Sequence, residues 1–551
     1  MLRVLASLAF VILASLCGAS GSIYSSHFAK FREAFRVALP IRDTQGGQDL
    51  LEKVSTLSSP SYGQWLSRDE VTKRFAPSYP PEEVQTWMET ALHEGVFCSC
   101  TSEACWSLSC FAAEANDVLD DLMAELPSSV HAYGFGPEHR FPAHRVRAKV
   151  RQGPSSYYVL PQTLQNLYDV DYSIHEPVGA GPTEFQNDSS FLPSDLALFA
   201  KATGLPVHSP TKNHIVGPFS DSYADIESSL DMDYVAGLAP AVQMWFWTTP
   251  GWILDTVEDM LDHKTLPEVM TWSWGWSEND QGTITGTNNS HAYVRHGNDR
   301  LMLLALRGVT VVVSSGDAGA PGRTNENCNG ASALNAVFPG ASPYVLSAGA
   351  TSLYNLTLWR DQAGKPPLCN ATAACAHGGH EGMCYNGGPG GCFWTAGGGF
   401  SNVSARPFYQ DHVVPDYLAD KSASKPFGLF NTSGRGYPDL AANGHNYYVV
   451  ANGAPMAVDG TSASGPTIGA IIARLNALRY AHGQPQLGFA NPALYTAAQT
   501  CATCFNDPIP GWNNCTESTC CPYGFQGRAK GWDANTGLGT PNFTALANFL
   551  I

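Results

Sequence analysis

From Tyr157 onward, short apolar runs that read as strands alternate with longer stretches that read as helices, and this alternation restricts the fold more than any other feature. The strand-like runs cover residues 242–247, 268–274, 309–314 and 344–348. The helical stretches cover residues 223–235, 252–261, 292–306 and 467–480. Strands that alternate with helices argue for an α/β fold, a parallel sheet with helices on both faces. Such sheets take their ligands beyond the carboxyl ends of the strands. The run at 309–314 leads directly into Ser315-Gly316-Asp317, so Asp317 is expected at that edge. No internal repeat is evident. At 551 residues the chain exceeds one ordinary domain, which predicts a large domain and a smaller one. Only 14% of residues are charged, while glycine (53) and proline (37) are plentiful, as in a loop-rich enzyme rather than a coiled coil or a disordered chain.

The first 20 residues read as a signal peptide, with Arg3, an apolar run at 4–16 and the small residues Gly18-Ala19-Ser20. That run is shorter than the roughly 20 apolar residues of a membrane span, and no later stretch is long and apolar enough for one. The fifteen cysteines fit an export route. Cys17 leaves with the signal peptide. Four cluster at Cys98, Cys100, Cys105 and Cys110, and ten lie between Cys328 and Cys521. Both groups are even, as internal disulfides require, although Cys501-x-x-Cys504 is also a zinc-like spacing. Eight N-x-S/T sequons, at Asn187, Asn288, Asn355, Asn370, Asn402, Asn431, Asn514 and Asn542, point the same way. Helical patches at 48–57, 82–94 and 115–125 precede a basic stretch at 139–151 that carries Arg140, Arg145, Arg147, Lys149 and Arg151. A basic, extended segment between regions of different composition reads as a processing linker. The net charge of -17 leaves no basic surface for nucleic acid and suits work at low pH.

The strongest chemical signal is Asp459-Gly460-Thr461-Ser462-Ala463-Ser464-Gly465-Pro466, followed by an apolar helical pattern. A serine at a loop-to-helix junction has an exposed hydroxyl and nearby backbone N–H groups able to stabilise an anion. The plain alternative is a helix cap. G-T-S-A-S also surrounds the nucleophile of subtilisin-like proteases, but the His-Gly-Thr-His string that would announce their histidine is absent. Glu227-x-x-x-Asp231 offers another base. Positions i and i+4 share a helix face, and Ile226, Leu230, Tyr234 and Val235 suggest that this helix is buried. Two close carboxylates share a proton at acidic pH, which leaves one as a base. Asp317, if protonated, can donate to a developing oxyanion; the alternative is a loop aspartate capping its own turn.

Three motifs in this order, Glu227-x-x-x-Asp231, Ser315-Gly316-Asp317 and Gly460-Thr461-Ser462-x-Ser464, resemble the sedolisin (serine-carboxyl peptidase) family, nearest to its tripeptide-releasing members. Further matches are Phe338-Pro339-Gly340-Ala341-Ser342-Pro343, Gly397-Gly398-Gly399-Phe400-Ser401-Asn402, Gly436-Tyr437-Pro438-Asp439 and Gly531-Trp532-Asp533. Pro60-Ser61-Tyr62-Gly63-Gln64-Trp65-Leu66-Ser67 looks like the family's propeptide. The resemblance implies a subtilisin-like parallel sheet flanked by helices, behind a smaller α+β propeptide domain. It implies Ser462 as nucleophile, Glu227 as general base, Asp231 as its partner and Asp317 as oxyanion acid. The organisation it implies is signal peptide 1–20, propeptide domain 21–138, processing linker 139–155 and peptidase domain 156–551. One structural Ca2+ would be held by Asp507 and Asp533 side chains and by Pro508, Ala529 and Gly531 carbonyls, a hard-cation set. The expected activity is acid peptide hydrolysis through an acyl-enzyme, releasing tripeptides from free N-termini of peptides or unfolded proteins. The chain's own propeptide would be its intramolecular inhibitor. Its expected route is secretory, to a lysosome, a vacuole or the medium.

The cysteine- and glycine-rich insertion at 365–391 departs from the family pattern and precedes Gly397-Gly398-Gly399, expected to line the substrate cleft. An endopeptidase with the same chemistry therefore stands as the alternative. A non-catalytic glycoprotein on this fold and a Ser/His/Asp enzyme are more distant ones.

Overall fold

The computed structural model describes residues 32–77, 96–112, 131–133, 149–150, 156–171, 176–186, 190–325, 327–328, 334–360 and 363–551. The signal peptide, the helical patches at 82–94 and 115–125, most of the processing linker and the Asn187 sequon lie outside the described residues. The chain divides into two compact units, one of residues 1–39 and 78–140, the other of 40–77 and 141–551.

The first unit holds β1 (Arg32–Ala38), β2 (Val96–Cys100), β3 (Ser107–Ala112) and β4 (His131–Tyr133). They form an antiparallel sheet in the order β2-β3-β1-β4. Phe35, Val37, Trp106, Leu108 and Tyr133 are among its buried residues. A disulfide joins Cys100 to Cys105 across the β2–β3 turn. Cys110 is also disulfide-bonded and stands opposite Cys98 in the ladder.

The second unit is built on a nine-stranded sheet. Its strands include β5 (Gly179–Glu184), β6 (Ile215–Val216), β7 (Phe246–Thr248), β8 (Val269–Trp272), β9 (Thr310–Ser314), β10 (Leu346–Trp359), β11 (Cys375–Met383) and β12 (Leu440–Asn443). The order is β11-β10-β9-β8-β5-β7-β6, with β12 also on β10 and the short Gln243–Met244 strand also on β5. All pairings are parallel except β10–β11. The parallel sheet flanked by helices expected from the alternation is therefore present. Among the described residues, no helix is long and apolar enough to cross a membrane.

Among the strands that depart from the sequence reading, two show a clear physical reason. β5 escaped it because Gly-Ala-Gly-Pro-Thr-Glu carries almost no apolar side chain. The strand is nevertheless wholly buried, and a Cβ on Gly181 would stand 1.9 Å from the Trp245 carbonyl oxygen. β10 runs eleven residues past the expected end at 348, because the insertion is no loop: it supplies β11, which pairs with that extension. Disulfides Cys369–Cys375 and Cys384–Cys392 bracket β11. Cys328–Cys521, Cys515–Cys520 and Cys501–Cys504 are also bonded, so the zinc reading of the last pair falls away.

The helices include α1 (Thr44–Ser55), α2 (Ile226–Leu238), α3 (Ser290–Leu306) and α4 (Thr461–Ala481). α1 packs on α3, where a Cβ on Gly47 would meet Met302 Cε at 2.5 Å. The Tyr62–Leu66 segment grips the same unit. Leu66 N donates to Leu306 O at 2.8 Å, Trp65 Nε1 to Gln486 O at 3.3 Å, and the Arg479 guanidinium lies 5.4 Å above the Tyr62 ring. α4 lies on β8, β9 and β10. It begins six residues before the apolar pattern at 467, so Ser462 sits in its first turn. Pro466 lies inside it and lacks the N–H that would bond Ser462 O. Of the sequons, Asn514 is buried and its Nδ2 donates to Cys521 O at 2.7 Å, so the amide that a glycan would need is already engaged.

Burial is not limited to apolar groups. Glu278 is fully enclosed, accepting Ser401 Oγ at 2.5 Å and Asn402 N at 2.9 Å, which pins the Gly399–Ala405 strand. Burial pushes its carboxyl from 4.5 up to about 7 against the pull of those hydrogen bonds. Between these values the folded state binds more protons than the unfolded one. Its contribution is thus full below 4.5 and declines as pH rises to 7, by on the order of 3 kcal/mol. Urea midpoints at pH 4.5 and 7 should show this decline in the native chain and a flatter one in Glu278→Gln. An unchanged slope in the variant would assign the decline elsewhere.

Candidate active site

Helix α2 is buried from Glu227 to its end, so both members of the Glu227-x-x-x-Asp231 pair lie inside the protein. Glu227 is 3% exposed and Asp231 is fully enclosed. One turn of helix separates them, and they share a face as the spacing predicts. Ser273, the residue after β8, brings the hydroxyl that links this pair to the nucleophile turn. Its Oγ lies 3.0 and 2.9 Å from the two Asp231 oxygens and 3.4 Å from Ser462 O. The carbonyl that Pro466 leaves without a helical donor thus gains a neighbour capable of donating.

A third carboxyl group, absent from the sequence reading, completes the cluster. Glu184 ends β5, is fully buried, and accepts Trp274 Nε1 at 2.9 Å. Burial pushes the Asp231 carboxyl well above the ordinary carboxylate range; the charges of Glu184 and then Glu227 raise it further, and Ser273 pulls it back. Acids this close in a dry interior cannot all ionise, and for Asp231 burial and both neighbouring charges disfavour the anion.

Across the nucleophile turn stands Asp317, three residues beyond β9 and 1% exposed. Its Oδ1 accepts both Thr461 N and Thr461 Oγ1 at 2.8 Å, and Thr461 Oγ1 accepts Gly316 N at 3.1 Å. Ser314 Oγ donates to Thr461 O at 2.9 Å. The two loops are therefore stitched together through Thr461. Gly460 holds φ at 142°, which disfavours a side chain, and a Cβ there would press on Asp317 Oδ2 at 3.1 Å. A shallow pocket opens beside Asp317, lined by Gly275, Trp276, Ser277, Arg323 and Val337 among others.

The structure brings Asp317, through Thr461, and Asp231, through Ser273, to the start of α4 where Ser462 sits, with Glu227 one turn of α2 ahead of Asp231. A hydroxyl at a helix N-terminus, carboxyl groups on one side and an acid on the other can perform acyl transfer by nucleophile, base and oxyanion donor. Gly397 and Gly398 lie beside this region, with Gly397 N donating to Gly316 O at 2.7 Å. A Cβ on Gly397 would lie 2.5 Å from Ser315 O, and one on Gly398 2.0 Å from Ala534 O. The close approach that these glycines permit is to the chain's own backbone.

Of the expected calcium ligands, Asp507 and Gly531 stand in direct contact. Asp507 Oδ1 accepts Gly531 N at 2.9 Å, which holds the 507–508 and 529–531 segments against each other. Asp533 is buried, with Oδ1 accepting Asn535 N and Thr536 N and Oδ2 accepting Arg528 N, each at 2.9 Å. Among the described residues, no group of three His, Cys, Asp or Glu side chains is placed to hold a metal. Two carboxylates among backbone carbonyls form a different set, whose all-oxygen chemistry fits a hard cation.

Comparison with known proteins agrees with this architecture. Residues 29–96 match the Pro-kumamolisin activation domain and residues 231–499 the subtilase family. The chain is 34% identical to physarolisin of Physarum polycephalum, over 100% of this chain and 99% of the relative. It is 30% identical to tripeptidyl-peptidase 1 of Mus musculus, over 93% and 91%. Among solved structures it resembles Pseudomonas sedolisin, a serine-carboxyl proteinase complexed with two molecules of pseudo-iodotyrostatin. That match has a TM-score of 0.50 at 21% identity and covers 72% of this chain and 99% of the other.

The three-carboxyl cluster makes a prediction for Ser462 reactivity. Glu184→Gln removes the largest neighbouring charge that raises Asp231, so Asp231 loses its proton at lower pH. The alkaline limb of Ser462 labelling by a serine-directed probe should move to lower pH in this variant. A limb that stays in place would separate Glu184 from the titration.

Proposed function

Because the chain belongs to the sedolisin family, with a subtilisin-like fold behind an activation domain, and is a serine-type peptidase, we propose that it hydrolyses peptides at acidic pH through an acyl-enzyme on Ser462 and releases tripeptides from free N-termini. The observation that carries this reading is the buried carboxyl cluster tied to the nucleophile turn by Ser273.

In the proposed cycle Glu227 takes the Ser462 proton as the hydroxyl attacks the scissile carbonyl. Asp231, protonated, hydrogen-bonds Glu227 and disperses its charge. Asp317 faces the new oxyanion from the other side and must carry a proton to stabilise it, since an ionised carboxylate would repel it. Glu227 then passes its proton to the leaving amine, forming the acyl-enzyme, and afterwards activates the water that resolves it. The cycle needs Glu227 ionised while Asp231 and Asp317 are protonated, which confines it to acidic pH.

Support for tripeptide release comes from the extent of similarity to a protein named tripeptidyl-peptidase 1. A second reading, internal cleavage by the same chemistry, is favoured by the added strand β11 and by the Cys384–Cys392 loop, which lead into Thr395–Gly399 beside the Asp317 loop. In the zymogen, the activation segment would block the site intramolecularly until it is cut within 139–155. The packing of α1 and of Tyr62–Leu66 on the peptidase unit supports such an anchored segment. The disulfides in both units support folding in the secretory pathway. Ca2+ held by Asp507, Asp533 and the carbonyls of Pro508, Ala529 and Gly531 would stabilise the C-terminal loops and supply no chemistry to the reaction.

Mass spectrometry of peptide digests at acidic pH distinguishes the two readings: successive N-terminal tripeptides support the first, internal cuts the second. Ser462→Ala and Glu227→Gln should each lower kcat by roughly a thousandfold or more. Full activity in Glu227→Gln would end the carboxylate mechanism. Chelation of calcium should lower the melting temperature by roughly 5 °C or more, and Asp533→Asn should abolish that response. A chelator-insensitive native protein would remove the ion from the account.

A further inference from the structure

The last strand before the nucleophile loop ends in an acid that the proposed cycle does not use. This strand, β14 (Ala454–Asp459), forms a hairpin with β13 (Tyr447–Ala451). Asp459 is fully buried, and so, at 2% exposure, is the histidine facing it. Asp459 Oδ1 lies 2.6 Å from His445 Nδ1 and accepts Asn446 N at 2.6 Å. A buried carboxylate is costly unless a donor or a positive charge faces it; Asn446 N supplies the hydrogen bond and the His445 imidazole the ion-pair contact.

The turn that carries His445 is also built against the nucleophile loop. Gly460 N donates to Gly444 O at 2.9 Å, and Ser464 Oγ donates to Ala442 O at 3.0 Å. A Cβ on Gly444 would stand 2.7 Å from Gly460 O. Asn446 holds φ at 64°, an uncommon conformation for a residue with a side chain, and its carbonyl accepts Val159 N at 2.8 Å. The end of β12 with its 444–446 turn and the start of α4 are therefore tied together, and the His445–Asp459 ion-pair contact joins the turn to the residue before Gly460. Phe393, directly after the Cys384–Cys392 loop, stands edge-on to His445 with ring centroids 6.4 Å apart. Two residues on, Thr395 bridges to Ala318 in the Asp317 loop.

We propose that His445 and Asp459 are a positioning pair for Ser462. Their 2.6 Å ion-pair contact holds the backbone at Gly460 and Thr461, and through it the placement of Ser462 between the carboxyl cluster and Asp317. Neither residue touches substrate. The pairing rests on the acyl-transfer reading and adds to it the part that sets the nucleophile's geometry.

Steady-state kinetics of the processed full-length protein on an N-terminally free peptide at acidic pH tests this. His445→Ala and Asp459→Asn should each lower kcat about ten- to a hundredfold with KM within about twofold, as expected for a nucleophile displaced by a fraction of an ångström. The double variant should be no worse than the singles, since both break one contact. His445→Asn, whose amide can still donate to Asp459, should recover most of kcat. Melting temperatures recorded alongside ensure that the kcat loss is read well below unfolding. If His445→Ala does not fold, His445→Asn and His445→Gln against Asp459→Asn carry the comparison. Unchanged kcat, a rise in KM alone, or equal impairment of His445→Ala and His445→Asn would overturn the pairing. A native protein with no acid peptidase activity on any peptide would overturn the acyl-transfer reading, and the pairing with it.

Discussion

Three carboxyl groups enclosed in one small volume set the terms for the rest of this site. Glu184, Asp231 and Glu227 arrive from a strand end and a helix, are shielded from water, and oppose one another's ionisation. Such a cluster is tolerable only with protons and hydrogen bonds distributed among its members. Trp274 serves Glu184, and Ser273 serves Asp231. The same serine reaches the carbonyl of Ser462, so the arrangement that makes the carboxyls bearable also ties them to the proposed nucleophile. A protein organised around this cluster is suited to acid, and the fully buried Glu278, held up to about 7 by burial, biases the fold in the same direction.

The other half of the site depends on the start of α4. Thr461 bonds Asp317 with both its backbone and its hydroxyl, while Pro466, one turn into the helix, lacks the N–H that would bond Ser462 O. Gly460 fits because its φ of 142° strains a residue with a side chain, whose Cβ would also press on Asp317 Oδ2 at 3.1 Å. Each residue of the Gly460-Thr461-Ser462 string therefore has a separate physical task. The buried His445–Asp459 contact lies just upstream, where the hairpin delivers the chain into this loop. The insertion reaches both sides of the site through Phe393 and Thr395.

Much of this was legible in the sequence. The alternation after Tyr157 announced the parallel sheet, and the even cysteines announced disulfides within each region. The i, i+4 spacing put Glu227 and Asp231 on one helix face. Asp317 was placed at a strand end because its strand is a clean apolar run. Glu184 was not legible, because its strand reads Gly-Ala-Gly-Pro-Thr-Glu and is buried by close backbone contact rather than by apolar side chains. Ser273 was hidden for a different reason. It lies in a tryptophan-rich strand end whose apolar character advertises core, and one hydroxyl leaves no periodic trace. The glycines at 397 and 398 were visible, but their reason was not: they accommodate backbone segments far away in the chain.

Alone, the sequence determined which residue types were available and how they repeat locally: a serine at a helix start, paired acids one turn apart, an acid after a strand, and family motifs in order. Those signals act over a few residues, where spacing and side-chain chemistry suffice. Only the tertiary structure decided what stands between them. The Glu184 charge on Asp231, the Ser273 bridge, the Thr461 clasp on Asp317 and the His445–Asp459 contact mostly join segments distant in sequence. Their geometry and burial arise when the sheet and helices pack, so no local pattern in the chain encodes them.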